Sequence, residues 1–110
     1  MTDNPIKTIS SHELKKRWDN NSSLCVIDVR ELDEWQEVHI PGAHHIPKDE
    51  IASRIKDVAP DLDSPVYLHC KGGVRSLTAA QTLKDLGYTA LYSLDGGIMD
   101  WMKAGYPVDR

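Results

Sequence analysis

Short apolar runs alternate with amphipathic segments along the whole chain. Runs rich in β-branched and other apolar residues occupy positions 5–9, 24–29, 65–69 and 90–94, each bounded by polar or turn-forming residues. The run at 24–29 is nearly unbroken, which is typical of a strand covered on both faces in a parallel sheet. A fifth, brief strand is predicted at 43–46. The chain therefore carries about five short strands.

The segments between these strands carry apolar residues at helical spacing. We predict helices after Ser10, which offers an N-cap with Glu13 three residues later, and over residues 31–38, 48–58, 76–86 and 97–103. The alternation of strands and helices predicts the α/β class: one domain, residues 1–110, with an open parallel sheet and helices on both faces.

The most informative segment follows the run at 65–69. Cys70 comes directly after this strand, and a loop rich in glycine and positive charge leads to the helix predicted from Ser76. Ligands of open parallel sheets bind outside the carboxyl ends of the strands. Inward N–H groups of such a loop, together with a helix N-terminus, bind anions and stabilise a thiolate. We predict that Cys70 is the nucleophile. An anionic substrate is expected to bind to the loop residues Lys71, Gly72, Gly73, Val74, Arg75 and Ser76.

A lone cysteine at a strand end is more often a small core residue than a catalyst. Two features favour catalysis here: adjacent glycines in the loop, and two cations, Lys71 and Arg75, near one sulfur. Cations and helix N-termini lower the pKa of a thiol, which only a reactive cysteine needs. We therefore expect a reactive Cys70 in an exposed loop.

Cys25 and Cys70 are not expected to form a disulfide. Cys25 opens its strand, whereas Cys70 lies just past the end of its own. If the two strands are parallel neighbours, an offset of four or five residues separates the cysteines by about 13–16 Å. This exceeds the limit of about 7 Å between the Cα atoms of a bridge. Cys25 is expected to be a core residue.

Other candidate sites are weaker. Asp28 and Arg30 end a central strand and are candidates for lining the pocket, but an internal Asp28–Arg30 or Arg30–Glu34 ion pair explains them equally well. The histidines at 39, 44 and 45 lack the spacing and the neighbouring cysteines or carboxylates of a tetrahedral metal site. We predict neither a metal nor a cofactor.

Composition restricts the partners and the compartment. The 110 residues are 40% hydrophobic and 27% charged, with a formal net charge of −4, which argues against a nucleic-acid partner. No apolar run approaches the roughly 20 residues of a membrane helix. The N-terminal residues 1–5 lack the basic and apolar regions of a signal peptide. We expect a cytoplasmic protein without a membrane partner.

Three motifs, taken in order, resemble the rhodanese homology family. Asp28-Val29-Arg30, Glu34-Trp35 and the stretch at 39–47 are similar to its first signature, with Val38 where a glycine is common and His45 where an asparagine is common. The loop at 70–76 resembles its active-site motif. Gly96-Gly97 with Trp101 resembles its C-terminal signature.

The resemblance implies a sulfurtransferase that carries a persulfide on Cys70. A small anionic donor, such as thiosulfate or another sulfane compound, would load the cysteine. Cyanide, a thiol, or a thioredoxin-like or sulfur-relay protein would accept the sulfur.

Two alternatives stay open. A cysteine-dependent phosphatase or arsenate reductase also uses a cysteine, an anion loop and an arginine. Such enzymes place five residues between cysteine and arginine, whereas four stand between Cys70 and Arg75. The other alternative is a persulfide carrier or binding module that serves a partner protein.

Overall fold

A five-stranded parallel sheet forms the centre of the molecule. The computed structural model describes residues 5–110. The strands follow the order β1-β5-β4-β2-β3, and all of their pairings are parallel. They are β1 Lys7–Ile9, β2 Cys25–Asp28, β3 His44–His45, β4 Val66–His69 and β5 Leu91–Leu94. Each predicted strand is present, one or two residues shorter. The prediction that the N-terminus lacks a signal peptide concerns mainly residues 1–4, which lie outside the described residues.

Within residues 5–110, four α-helices connect the strands and a fifth follows β5. They are α1 Ser11–Asn20, α2 Leu32–Glu37, α3 Ile51–Val58, α4 Val74–Asp85 and α5 Gly97–Lys103. The helix predicted over 48–58 is divided into a 3-10 turn, Lys48–Glu50, and α3. Within residues 5–110, no helix combines the length and the apolar character that crossing a membrane requires.

Helix α4 begins earlier than the sequence predicts. The predicted start was Ser76, but the first helical residue is Val74. Gly73 precedes it with φ of +107°, a left-handed conformation that favours glycine and turns the chain directly into the helix. Ser76 therefore lies inside the first turn, where its hydroxyl is free to contact the cysteine loop instead of capping.

Two hydrophobic cores cover opposite faces of the sheet, because successive strand residues point to opposite sides. Ile27 and Leu68, which are paired in register, face one core together with buried residues of α3 and α4. Val26 and Tyr67 face the other core, with Leu14 of α1 and Trp101 of α5. This confirms the α/β fold with helices on both faces.

The register brings the carboxyl ends of β2 and β4 to one edge. Asp28 is paired with His69, so Cys70 follows directly at that edge. Cys25 is paired with Val66, four positions before Cys70, and both cysteines are free thiols as predicted. The expectation that Cys25 is a core residue holds only in part: its side chain is half-buried and packs against the first core.

Candidate active site

Cys70 lies at the bottom of its loop rather than on the surface. The residue is 1% exposed, and its Sγ accepts the N–H of Gly73 at 3.1 Å. Lys71, Gly72 and Val74 are exposed around it. The expectation of an exposed loop is thus correct for these three residues, which form its rim, and wrong for Cys70.

Hydrogen bonds determine the state of the Cys70 thiol. Burial alone raises its pKa, because a thiolate is poorly solvated there. The hydroxyl of Ser76 and the backbone N–H groups of Gly73, Arg75 and Ser76 more than offset this, so the pKa lies below its ordinary value. The predicted lowering of the Cys70 pKa is confirmed. Backbone amides and a hydroxyl are its main causes, whereas the sequence also predicted a contribution from the cations Lys71 and Arg75.

The start of α5 holds the cysteine loop in this conformation. The N–H groups of Ile98 and Met99 donate to the carbonyl oxygens of Cys70 (2.9 Å) and Lys71 (3.2 Å). Gly97 makes the approach possible: a Cβ atom there would lie 2.5 Å from the Cys70 oxygen and nearer still to that of Lys71. These hydrogen bonds hold two loop carbonyl groups toward α5. The amide N–H groups of the loop are then free to face the sulfur.

A second serine supports Ser76. The Ser76 Oγ lies 3.6 Å from Cys70 Sγ, 3.1 Å from the Gly73 carbonyl oxygen and 2.7 Å from the Oγ of Ser93 on β5. Both serines are buried. Sequence reasoning missed Ser93, although a serine inside an apolar strand was an available signal.

Arg75 has a partner that the sequence did not identify. Its guanidinium makes two hydrogen bonds, of 2.6 and 2.9 Å, to the carboxylate of Glu34 on α2. These bonds from Arg75 hold the pKa of Glu34 at about 2 and raise that of Arg75. The sequence suggests Arg30 as the partner of Glu34, but the structure pairs Glu34 with Arg75. Lys71 extends from the rim without such a pairing among the described residues.

Asp28 and Arg30 form an internal ion pair. The Arg30 guanidinium bonds the Asp28 carboxylate at 2.7–3.0 Å and donates to the Val38 carbonyl oxygen at 2.6 Å. Asp28 is 0% exposed, so its proposed role in lining the pocket is wrong. Arg30, at 3% exposed, lines a cleft beside the cysteine loop with only a small part of its surface.

A cleft of about 240 Å³ opens beside the cysteine loop. It lies between α2, the loop and the start of α5. Its lining combines charged and apolar side chains: Arg30, Glu34, Glu37, Val38, Lys71, Ile98, Met99 and Met102. The cleft supplies an approach to the loop with room for an organic group.

Two histidines of the first motif, His39 and His45, are packing residues. Trp35 stacks on His39 and His45, with ring centroids 3.9 and 5.1 Å apart. His45 also contacts the Arg30 carbonyl oxygen through Nε2 at 2.8 Å. These contacts fix α2 beside the cleft. Next to Cys70, His69 is fully buried, and burial lowers its pKa.

Comparison with known proteins agrees with this arrangement. The family model described as a rhodanese-like domain matches residues 10–104. The chain is 35% identical over 96 residues (87% of its length) to the "Putative sulfur carrier protein YrkF" of Bacillus subtilis (strain 168), and 40% identical over 100 residues (91%) to the "Probable adenylyltransferase/sulfurtransferase MoeZ" of Mycobacterium tuberculosis. It spans about half of the first (51%) and a quarter of the second (26%).

A solved structure gives the same result for the fold. The structure of a thiosulfate sulfurtransferase from Pseudomonas aeruginosa superposes with a TM-score of 0.85 at 27% identity. The match covers 96% of this chain and 20% of that one. With the family model matching from α1 to α5, this chain belongs to the rhodanese-like family, and the names of its relatives support sulfur transfer in general.

Proposed function

We propose that this protein transfers sulfane sulfur through a persulfide on Cys70. The observation that carries the proposal is the position of Cys70 Sγ inside a ring of donors that lowers its pKa. A thiolate is the nucleophilic form of cysteine, so this ring keeps the residue ready to attack sulfur. The same ring of donors can stabilise the negative charge on the terminal sulfur of the persulfide after transfer.

The reaction has two half-reactions. The Cys70 thiolate attacks the outer sulfur of the donor, and the donor's S–S bond breaks. Sulfite departs with the bonding electrons if the donor is thiosulfate, and a thiolate departs if the donor is a persulfide. Cyanide or a thiolate acceptor then attacks the outer sulfur of the Cys70 persulfide and regenerates the thiolate. Such a cycle gives ping-pong kinetics.

Each loop residue has a proposed role in this cycle. The amides of residues 71–75 hold the charge of the terminal sulfur, and Ser76 stabilises the thiolate from below. Lys71 attracts the anionic donor to the rim. Arg75, held by Glu34, fixes the entrance of the loop. Gly73 supplies the left-handed turn (φ +107°) from which its N–H reaches the sulfur, and Gly72 lies exposed at the rim.

The acceptor is proposed to be a thiol, either small or on a thioredoxin-like or sulfur-relay protein. The name of the B. subtilis relative includes a sulfur carrier, which supports a protein acceptor. We place the reaction in the reducing cytoplasm, because turnover requires Cys70 to be a free thiol.

Intact-mass spectrometry tests the proposal directly. The protein is incubated with thiosulfate and, separately, with a small hydropersulfide, and the adduct is mapped. We expect a gain of one sulfur atom on Cys70, removed by cyanide or a thiol reductant. Cys25→Ser should retain the adduct and Cys70→Ser should lose it. No adduct from either donor, or hydrolysis of a general phosphatase substrate instead, would refute sulfur transfer.

A further inference from the structure

The charges around the cleft cancel one another. Arg75 is bound by Glu34 through two hydrogen bonds, and Arg30 is bound by the buried Asp28. Among the described residues that line the cleft, Lys71 is then the only cation without a carboxylate partner, and Glu37 lines the same cleft. The net charge that a donor meets is close to zero.

This neutrality bears on which donor the site accepts. Thiosulfate is a dianion, and attack by the Cys70 thiolate concentrates three negative charges at the loop. Such a complex needs several uncompensated cations, since like charges repel strongly where water is excluded. A guanidinium suits an oxyanion through paired hydrogen bonds, but the Arg75 side chain already uses two of its nitrogens on Glu34.

The apolar part of the cleft points to an organic donor. Ile98, Met99 and Met102 line it beside the loop, and the side chain of Met99 is 51% exposed. Thiosulfate offers no apolar surface to these side chains, whereas the carbon chain of a thiol does. Methionine is flexible and adapts to varied organic groups.

We propose that the sulfur donor is the hydropersulfide of a thiol, and that Glu34 determines this specificity by occupying Arg75. The inference rests on the function proposed above and narrows its substrate class. The Cys70 thiolate attacks the outer sulfur of R–S–SH and forms a new S–S bond. The old S–S bond breaks, and its electron pair leaves with RS⁻. The proton stays on the transferred sulfur or passes to RS⁻, and there is no net oxidation or reduction.

The test compares the rates at which two donors form the Cys70 persulfide. Thiosulfate and the hydropersulfide of 2-mercaptoethanol are used, in a Cys25→Ser background so that only Cys70 reports. Glu34→Gln removes the charge that holds Arg75 but keeps an oxygen for the Glu31 N–H bond. Glu37→Gln is the matched control, because it removes a charge from the same cleft without releasing Arg75.

We expect the parent protein to react faster with the hydropersulfide. Glu34→Gln should raise the thiosulfate rate by about tenfold, the scale of one charge-assisted contact, and change the hydropersulfide rate much less. Glu37→Gln should have the smaller effect on thiosulfate. A parent that prefers thiosulfate, an unchanged donor ratio in Glu34→Gln, or equal effects of both variants would overturn the inference and leave sulfur transfer intact. A protein that takes sulfur from neither donor refutes the proposed function itself.

The parent protein provides a second measurement in case Glu34→Gln fails to fold. Its thiosulfate rate should change little with added salt, because the charges around the cleft nearly cancel at a distance and Lys71 acts on the donor only at short range. A steep decrease of that rate with salt would show uncompensated cations and contradict the inference.

Discussion

At the residue scale, short-range hydrogen-bond donors lower the pKa of Cys70. Ser76 is the side chain among them, and Ser93 restrains its hydroxyl at 2.7 Å. If Ser93 donates its proton to Ser76, the Ser76 proton can turn to Cys70 Sγ or to the Gly73 carbonyl oxygen. The hydroxyl can therefore follow the charge as the thiolate forms and is consumed.

Ser76→Ala should raise the pKa of Cys70. A hydrogen bond to a charged group contributes about 1.5–3 kcal/mol, and 1.36 kcal/mol corresponds to one pKa unit, so we expect an upward shift of about one to two units. The measurement is the pH dependence of Cys70 alkylation. Thr78→Ala is the control, since its exposed hydroxyl bonds only the Val74 carbonyl oxygen on the same helix. An unshifted midpoint in Ser76→Ala would assign the low pKa to the amides alone.

At the scale of elements, the loop depends on its contact with α5. Gly97→Ala should separate them, because the added Cβ meets the Cys70 and Lys71 carbonyl oxygens. Gly105→Ala is a matched control: it also has positive φ (+83°), but no atom lies within 4 Å of the added Cβ. We expect Gly105→Ala to cost about 1–2 kcal/mol of unfolding free energy and Gly97→Ala about 3 kcal/mol or more. Denaturant unfolding measures both.

The same pair of variants reports on the site. Gly97→Ala should also slow Cys70 alkylation at neutral pH, because the loop amides lose their fixed direction. Gly105→Ala should not. Equal alkylation rates in the two folded variants would show that the loop holds its conformation without α5.

The Glu34–Arg75 pair joins α2 to the start of α4, and its contribution should depend on pH. The pKa of Glu34 is lowered from 4.5 to about 2, so the pair stabilises the fold fully above pH 4.5 and is lost as pH falls toward 2. Because both side chains are partly exposed, we expect Glu34→Gln to cost about 1 kcal/mol or less at pH 7. Chemical unfolding from pH 7 to pH 3 should show this difference shrinking; a difference that grows in acid would contradict the pairing.

Local signals explain what the sequence predicts correctly. An apolar run followed by a cysteine, two glycines and a helical pattern places Cys70 at a strand end without knowledge of any other element. The predicted start of α4 is two residues late because the amphipathic pattern begins at Ser76, whereas the left-handed Gly73 turns the chain into the helix at Val74. The Arg75–Glu34 and Ser76–Ser93 contacts join residues 41 and 17 positions apart, so no local pattern encodes them.

At the scale of the whole molecule, one sheet separates two cores that both support the site. The first core includes Cys70 itself and the buried face of α4, and the second includes Ile98 and Trp101 of α5. The loop thus depends on elements from both sides of the sheet: α4 continues from it, and α5 binds its carbonyl groups. The strand residues that face the two cores alternate along the same strands.

Truncation of one leucine in each core should give additive losses. Leu83 of α4 and Leu14 of α1 are fully buried, in the first and second core respectively. Each change to alanine should cost about 2–5 kcal/mol, and the double variant should lose their sum to within about 0.5 kcal/mol, because the two side chains share no core neighbours. Leu86→Ala is the control, since Leu86 is 45% exposed and should lose far less. Denaturant unfolding measures all four proteins, and a deviation of more than about 1 kcal/mol from additivity would show that the sheet transmits strain between its faces.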